Sequence, residues 1–218
     1  MTGRKRKAGI IMAQFDYRID EQTEYNLGDT PSLVMLTERN YLMFQGTGEA
    51  QLANPEFKDA AAAMYAFAAG IKEQARHSKL IDWFRDYVPY PLSVYRTPHG
   101  AYTMLIKQPN FTVPELLTAA QAAAGPLTAA ARQVAYRRTE EGVEVQLLQK
   151  GPVTEASSVF TTLTDFMQAH GMTRAQDGYR TVYLDNILTT PADQVRTLVR
   201  IPVTVRDPDA GDYEIARN

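Results

Sequence analysis

Residues 41–76, YLMFQGTGEAQLANPEFKDAAAAMYAFAAGIKEQAR, decide the architecture. Their first five residues read as a strand, which Gly46 and Gly48 end. Asn54 is placed to cap a helix and Pro55 suits its first turn, so a helix runs from Pro55 to about Arg76. Within it Phe57, Met64, Phe67, Ala68 and Ile71 recur at spacings of three, four and seven, while Lys58, Asp59, Lys72 and Glu73 take the other side. One face of this helix is therefore core-forming.

Working downstream, an aromatic connector with Trp83, Tyr87 and Tyr90 leads into two β-like runs, 90–96 and 101–107, joined by Thr97, Pro98, His99 and Gly100 as a hairpin. Thr112 and Glu115 have capping-box spacing, with Phe111 and Leu116 as the hydrophobic staple, predicting a helix to about Ala124 that Gly125 and Pro126 end. Runs 134–138 and 143–149 flank Glu140, Glu141 and Gly142 and predict a second hairpin. Gly151 and Pro152 then break the chain before a helix with Val159, Phe160, Leu163, Phe166 and Met167 on one side, closed by His170 and Gly171. Strands 179–185 and 197–205 follow. Upstream, Asp29, Thr30 and Pro31 precede a short apolar strand at 33–36.

The order strand, glycine-rich break, amphipathic helix, strand, strand thus occurs twice. Ser93, Val94 and Tyr95 in the first copy match Thr181, Val182 and Tyr183 in the second. Side chains alternate along a strand, so Ser93 shares a face with Tyr95, and Thr181 with Tyr183. The expectation is an α+β fold of two pseudo-symmetric β-α-β-β modules, a mostly antiparallel sheet with helices on one side, and a ligand groove between the modules lined by these hydroxyls and rings. The boundaries are a disordered basic leader (1–14), one domain (15–205, with modules at about 33–110 and 134–205) and a C-terminal tail (206–218).

The chain has 218 residues, is 44% hydrophobic and 22% charged, and carries a formal net charge of -2, which gives no electrostatic footprint for nucleic acid or an anionic membrane. Only the leader, with Arg4, Lys5, Arg6 and Lys7, is locally basic, and its apolar part is too short for a signal core or a span. Without cysteine there is no disulfide, thiolate metal site or cysteine nucleophile, which fits a cytoplasmic location. His77, His99 and His170 lack metal-ligand spacing, so neither a metal nor a cofactor is expected. Gly46 and Gly48 do not continue into a phosphate loop, and no segment reads as a helix-turn-helix.

Beyond these patterns, the segments FDYR from Phe15, FQGTGEAQLANPEFKDAAAAMYAFAAGIK from Phe44, YPLSVYR from Tyr90, LIKQP from Leu105, QLLQKGP from Gln146 and YRTVYLDNILTTPADQVRTLVRIPV from Tyr179 together resemble the GyrI-like small-molecule-binding family. That fold also serves as the effector-binding domain of bacterial transcription activators. The resemblance implies paired β-α-β-β modules around a hydrophobic pocket, and some members of this layout are similar to hydrolases that open the cyclopropane ring of DNA-alkylating natural products. In those relatives PLSVYR looks like PLEGLW and YRTVYL looks like HHEIYL, so each family glutamate falls on a hydroxyl residue, Ser93 or Thr181. A neutral hydroxyl neither activates water unaided nor pairs with a cation.

The functional expectation is non-catalytic binding of a neutral aromatic or apolar small molecule. Tyr95 and Tyr183 would stack, Ser93 and Thr181 would hydrogen-bond, and Met43, Tyr65, Trp83 and Tyr90 would support them. The alternative is a ring-opening hydrolase using Glu155, a residue read either as a helix-dipole partner near the second helix or as a pocket carboxylate. A third option is an inhibitor that binds a protein partner of unknown identity.

Overall fold

A computed structural model describes residues 13–205 and 215–217. The expected leader, apart from Ala13 and Gln14, and the expected tail, apart from 215–217, lie outside the described residues. In chain order the elements are α1 (Tyr17–Asp20), β1 (Ser32–Leu36), β2 (Arg39–Thr47), α2 (Pro55–His77), β3 (Leu92–Arg96), β4 (Ala101–Gln108), α3 (Pro114–Ala123), α4 (Ala129–Gln133), β5 (Ala135–Thr139), β6 (Gly142–Lys150), α5 (Ser158–Ala169), β7 (Met172–Arg174), β8 (Tyr179–Tyr183), β9 (Arg196–Val205) and β10 (Ile215–Arg217). The fold is α+β, with a mostly antiparallel sheet in the order β10-β1-β6-β9-β8-β3-β4-β2-β5 and β7 beside β9. Only the β1–β10 pair is parallel among the described strands.

Two runs of similar order occur, β2-α2-β3-β4 and β6-α5-β7-β8-β9, the second with β7 inserted after α5, and in each the first strand pairs with the last and the last with the strand before it. β3 and β8 join the units as antiparallel neighbours. The strand preceding each unit joins the other one: β1 pairs with β6, and β5 pairs with β2. The second predicted hairpin is therefore absent, because β5 and β6 do not pair but lie six strand positions apart. In a flat sheet that separation is about 29 Å, whereas the three Cα steps from Thr139 to Gly142 reach at most about 11 Å. The sheet must curl until its two sides meet at this link and at the equally short link between β1 and β2, where the Glu141 amide donates to the Leu36 carbonyl at 3.2 Å.

Residues opposite one another in a ladder point to the same face. One face carries Leu42, Phe44, Leu92, Val94, Met104 and Ile106, and continues through Thr181 and Val199 to Leu147. α2 seals the first part with Phe57, Met64, Phe67 and Ile71, and α5 seals the second with Val159, Leu163 and Met167. Each such fully buried side chain contributes about 1.5–3 kcal/mol. The opposite face carries Ser93, Leu105, Val182 and Leu198. The helices that seal the core, α2 and α5, thus share one side as expected, while the four-residue α1 and the turn after it lie over this face: Lys107 reaches Glu21 and Arg200 donates to the Glu24 carbonyl at 2.8 Å.

Local signals succeed at α2, where the Asn54 side chain accepts from the Glu56 amide, and at α5, where Gly171 follows the cap with a φ of 64°. They fail at α3, because Val113 precedes proline and is held extended, which makes Pro114 the first helical residue. The capping box is then out of register, and Thr112 Oγ1 is buried without a hydrogen-bond partner among the described residues. Gly46 does not end β2 either; it sits inside the strand, where an added Cβ would fall 2.4 Å from Cζ of the buried Tyr102 ring.

Beneath α1, Glu24 is 2% exposed and meets Arg39 at 2.7 Å and Lys107 at 3.4 Å. Burial alone raises its pKa, but Lys107, Arg200 and Arg39 outweigh that and hold it down at about 2. Folding thus depresses a pKa from an unfolded value of about 4.5, so the stabilisation is complete above pH 4.5 and is lost as pH falls through about 2. Acid unfolding followed by circular dichroism should show this limb, worth on the order of 3 kcal/mol. Glu24→Gln should flatten it.

Candidate functional site

Above the seam of β3 and β8, on the face that bears α2 and α5, lies a groove of about 710 Å³. Its floor is Arg96, Thr181, Tyr179, Tyr183 and Thr197. The two β-α loops form its sides: Glu49 to Leu52 lead into α2, and Gly151 to Glu155 lead toward α5. Corresponding loops of the two units thus face each other across the seam. A second lobe of about 520 Å³ adjoins it at the β3–β4 turn and shares Glu49, Ala50, Arg96, Glu155 and Tyr179.

Arg96 organises the floor. Its Nη1 donates to Thr181 Oγ1 at 2.5 Å and to the Val94 carbonyl at 3.2 Å; its Nη2 donates to Tyr183 Oη at 2.6 Å and to the Ala50 carbonyl at 3.0 Å. The guanidinium also lies 5.8 Å and 5.9 Å from the ring centres of Tyr179 and Tyr183. Burial pushes the Tyr179 phenol above its usual pKa, and Arg96 opposes that shift. The result is a cationic patch between two aromatic rings, with Thr181 only 1% exposed beneath it.

Of the residues expected to share one groove, Thr181 and Tyr183 line it, whereas Ser93 and Tyr95 do not. The reason is register: Ser93 faces Val182 and Val94 faces Thr181, so the two triplets are one residue out of phase across the seam. Tyr95 lies on the other side of the sheet, donates its hydroxyl to the Asp177 carbonyl at 2.5 Å and stacks under Arg180. The residue of β3 that shares a face with Thr181 and Tyr183 is Arg96. Sequence reasoning passed over it, although an arginine continuing the face of Leu92 and Val94 was a legible anomaly.

The remaining candidates disperse. Tyr65, on α2, meets the Ile187 amide at 3.5 Å beside the groove. Met43 pairs with Leu105 and points to the opposite face. Trp83 and Tyr90 line a separate cavity of about 350 Å³ with Phe15, Arg39, Lys107 and Phe111. Glu155 is not in the first turn of α5, which starts at Ser158; it is exposed and lines both lobes of the groove. Among the described residues, no group of three or more acidic or histidine side chains could hold a metal ion, and no helix is long and apolar enough to cross a membrane.

No protein-family model matches the chain, and no curated protein does. Among solved structures, the chain is similar to a hydrolase from Listeria innocua at 25% identity and a TM-score of 0.75, covering 88% of this chain and 100% of that one. An uncharacterized conserved protein from Listeria innocua matches at 24% identity, with the same TM-score and coverage. The C-terminal domain of EcmrR matches at 11% identity and a TM-score of 0.49, covering 80% of this chain and 97% of that one.

Gly178, which precedes β8 with a φ of 112°, packs against the backbone of Arg96 at the end of β3. A Cβ there would fall 2.1 Å from the Arg96 carbonyl oxygen, in a backbone region that other residues rarely adopt. Gly178→Ala should cost at least about 2 kcal/mol of stability, measured as a lower urea midpoint.

Proposed function

We propose that this chain is a GyrI-like binding protein that holds a small organic molecule with an aromatic or apolar body in the groove over β3 and β8. The observation that carries the reading is the floor itself: two tyrosine rings flank Arg96 above the buried Thr181 and Thr197, under a cavity large enough for a drug-sized compound. Tyr183 and Tyr179 offer rings for stacking, and Leu52, Phe57, Ile187 and Val195 supply apolar walls. Thr181 contributes through its hydrogen bond with Arg96 rather than as half of a matched pair with Ser93. The chemistry of the floor supports binding without turnover: among the described residues no carboxylate stands on it, and the carboxylates that line the groove, Glu49 and Glu155, are both exposed.

Hydrolysis is a second reading, supported by the match along the whole length of a structure described as a hydrolase. In it Glu155, at the meeting of the two lobes, would act as the base toward water.

A thermal-shift screen of aromatic compounds tests the first reading, because a ligand at a hundred times its dissociation constant should stabilise by about 2.7 kcal/mol. Tyr183→Ala should erase the shift; hits that persist unchanged in that variant place binding elsewhere. Mass spectrometry of the protein incubated with an electrophilic cyclopropane should show no ring opening. Turnover that Glu155→Gln abolishes would establish the second reading in its place.

A further inference from the structure

We infer that the ligand of this groove carries an anionic oxygen group, a carboxylate or sulfonate, seated against Arg96 and the Tyr183 hydroxyl where the two lobes meet. The inference rests on the groove being the ligand site.

A guanidinium keeps its charge under all ordinary conditions, and burying it without a counter-charge is costly. Arg39 has Glu24, Arg180 has Glu141 and Glu144, and Arg196 has Asp185, while the buried Arg200 bonds the neutral Gln146 Oε1 and the Glu24 carbonyl but lies in the field of the Glu24 and Glu144 carboxylates. Arg96 is half-buried, yet among the described residues no carboxylate pairs with it, and its four hydrogen bonds all go to neutral oxygens. A cation on a cavity floor without a protein counter-ion is suited to receive one from the ligand.

The polarity of the hydroxyls points the same way. Tyr183 and Thr181 each accept a hydrogen bond from the guanidinium, so the two hydroxyl oxygens of the floor already face a cation. The Thr181 proton has the Val94 carbonyl at 3.5 Å, while the Tyr183 proton has no acceptor among the described residues. What the floor offers is positive charge and a free O–H donor, which together recognise an oxyanion. Glu49 and Glu155 at the rim are exposed and screened by solvent, so they weaken this preference without reversing it and disfavour a second negative group.

A matched pair of fluorescent probes, anilinonaphthalene sulfonate and its uncharged counterpart phenylnaphthylamine, tests this by titration of the full chain. The sulfonate should bind about tenfold or more tightly than the uncharged probe. Arg96→Gln should remove that difference while phenylnaphthylamine still binds, and Arg96→Lys should retain most of it. Tyr183→Phe, which keeps the ring, should weaken the sulfonate several-fold and leave the uncharged probe unchanged; it serves where Arg96→Gln does not fold. Equal affinities in the unmodified protein, or a difference that survives both Arg96→Gln and Tyr183→Phe, overturn the anionic ligand and leave the groove standing. Failure of both probes to bind, or binding indifferent to Tyr183→Ala, overturns the groove reading and this inference with it.

Discussion

The rest of the site depends on the register of β3 against β8. Ser93 lies opposite Val182, and Val94 opposite Thr181, so residue numbers across the seam pair in opposite parity. Because each face of a sheet takes alternate residues, that single offset sends Thr181 and Tyr183 to the helix-bearing face and Ser93 and Tyr95 to the other. It also brings Arg96 under the groove in the place where a symmetric match would have put a hydroxyl. A one-residue slip would exchange the cationic floor for an unrelated set of side chains.

Holding that register is a larger constraint, the exchange of outer strands between the two units. β1 extends the sheet of the second unit and β5 that of the first, through links of two residues each. Links this short leave no slack for β3 and β8 to slide, because any shift at the seam must be absorbed where the sheet curls back on itself. The buried charges under α1, with Glu24 bound to Arg39 and Lys107, tie the remaining face to the same frame. The groove thus has a floor set by strand pairing and two loops for walls, a shape that suits the binding site proposed above.

Chemically, the floor departs from the pattern that the family resemblance implies. Where the pattern of the resembled family has glutamates, this chain has Ser93 turned away and Thr181 engaged by a guanidinium. A carboxylate floor attracts cations and can activate water; an arginine floor does neither and favours acceptors. The change is coherent, since Arg96, Thr181 and Tyr183 form one hydrogen-bonded unit and each makes sense only with the others present.

Sequence alone determined whatever rests on near neighbours in the chain. Asn54 and Pro55 fixed the start of α2, the spacing of Phe57, Met64, Phe67 and Ile71 fixed its buried face, and Gly171 closed α5. The repeated order of elements was legible for the same reason, because each element is written in local periodicity. Tertiary structure decided which strands pair, and with that which side chains meet. The runs on either side of Glu140 and Glu141 have the look of a hairpin, yet they part to opposite sides of a curled sheet, because long-range pairing with β2 and β1 outweighs a turn of ordinary composition. Likewise the likeness of Ser93-Val94-Tyr95 to Thr181-Val182-Tyr183 is real as sequence but out of phase as structure, since register is set by the whole sheet and not by three residues.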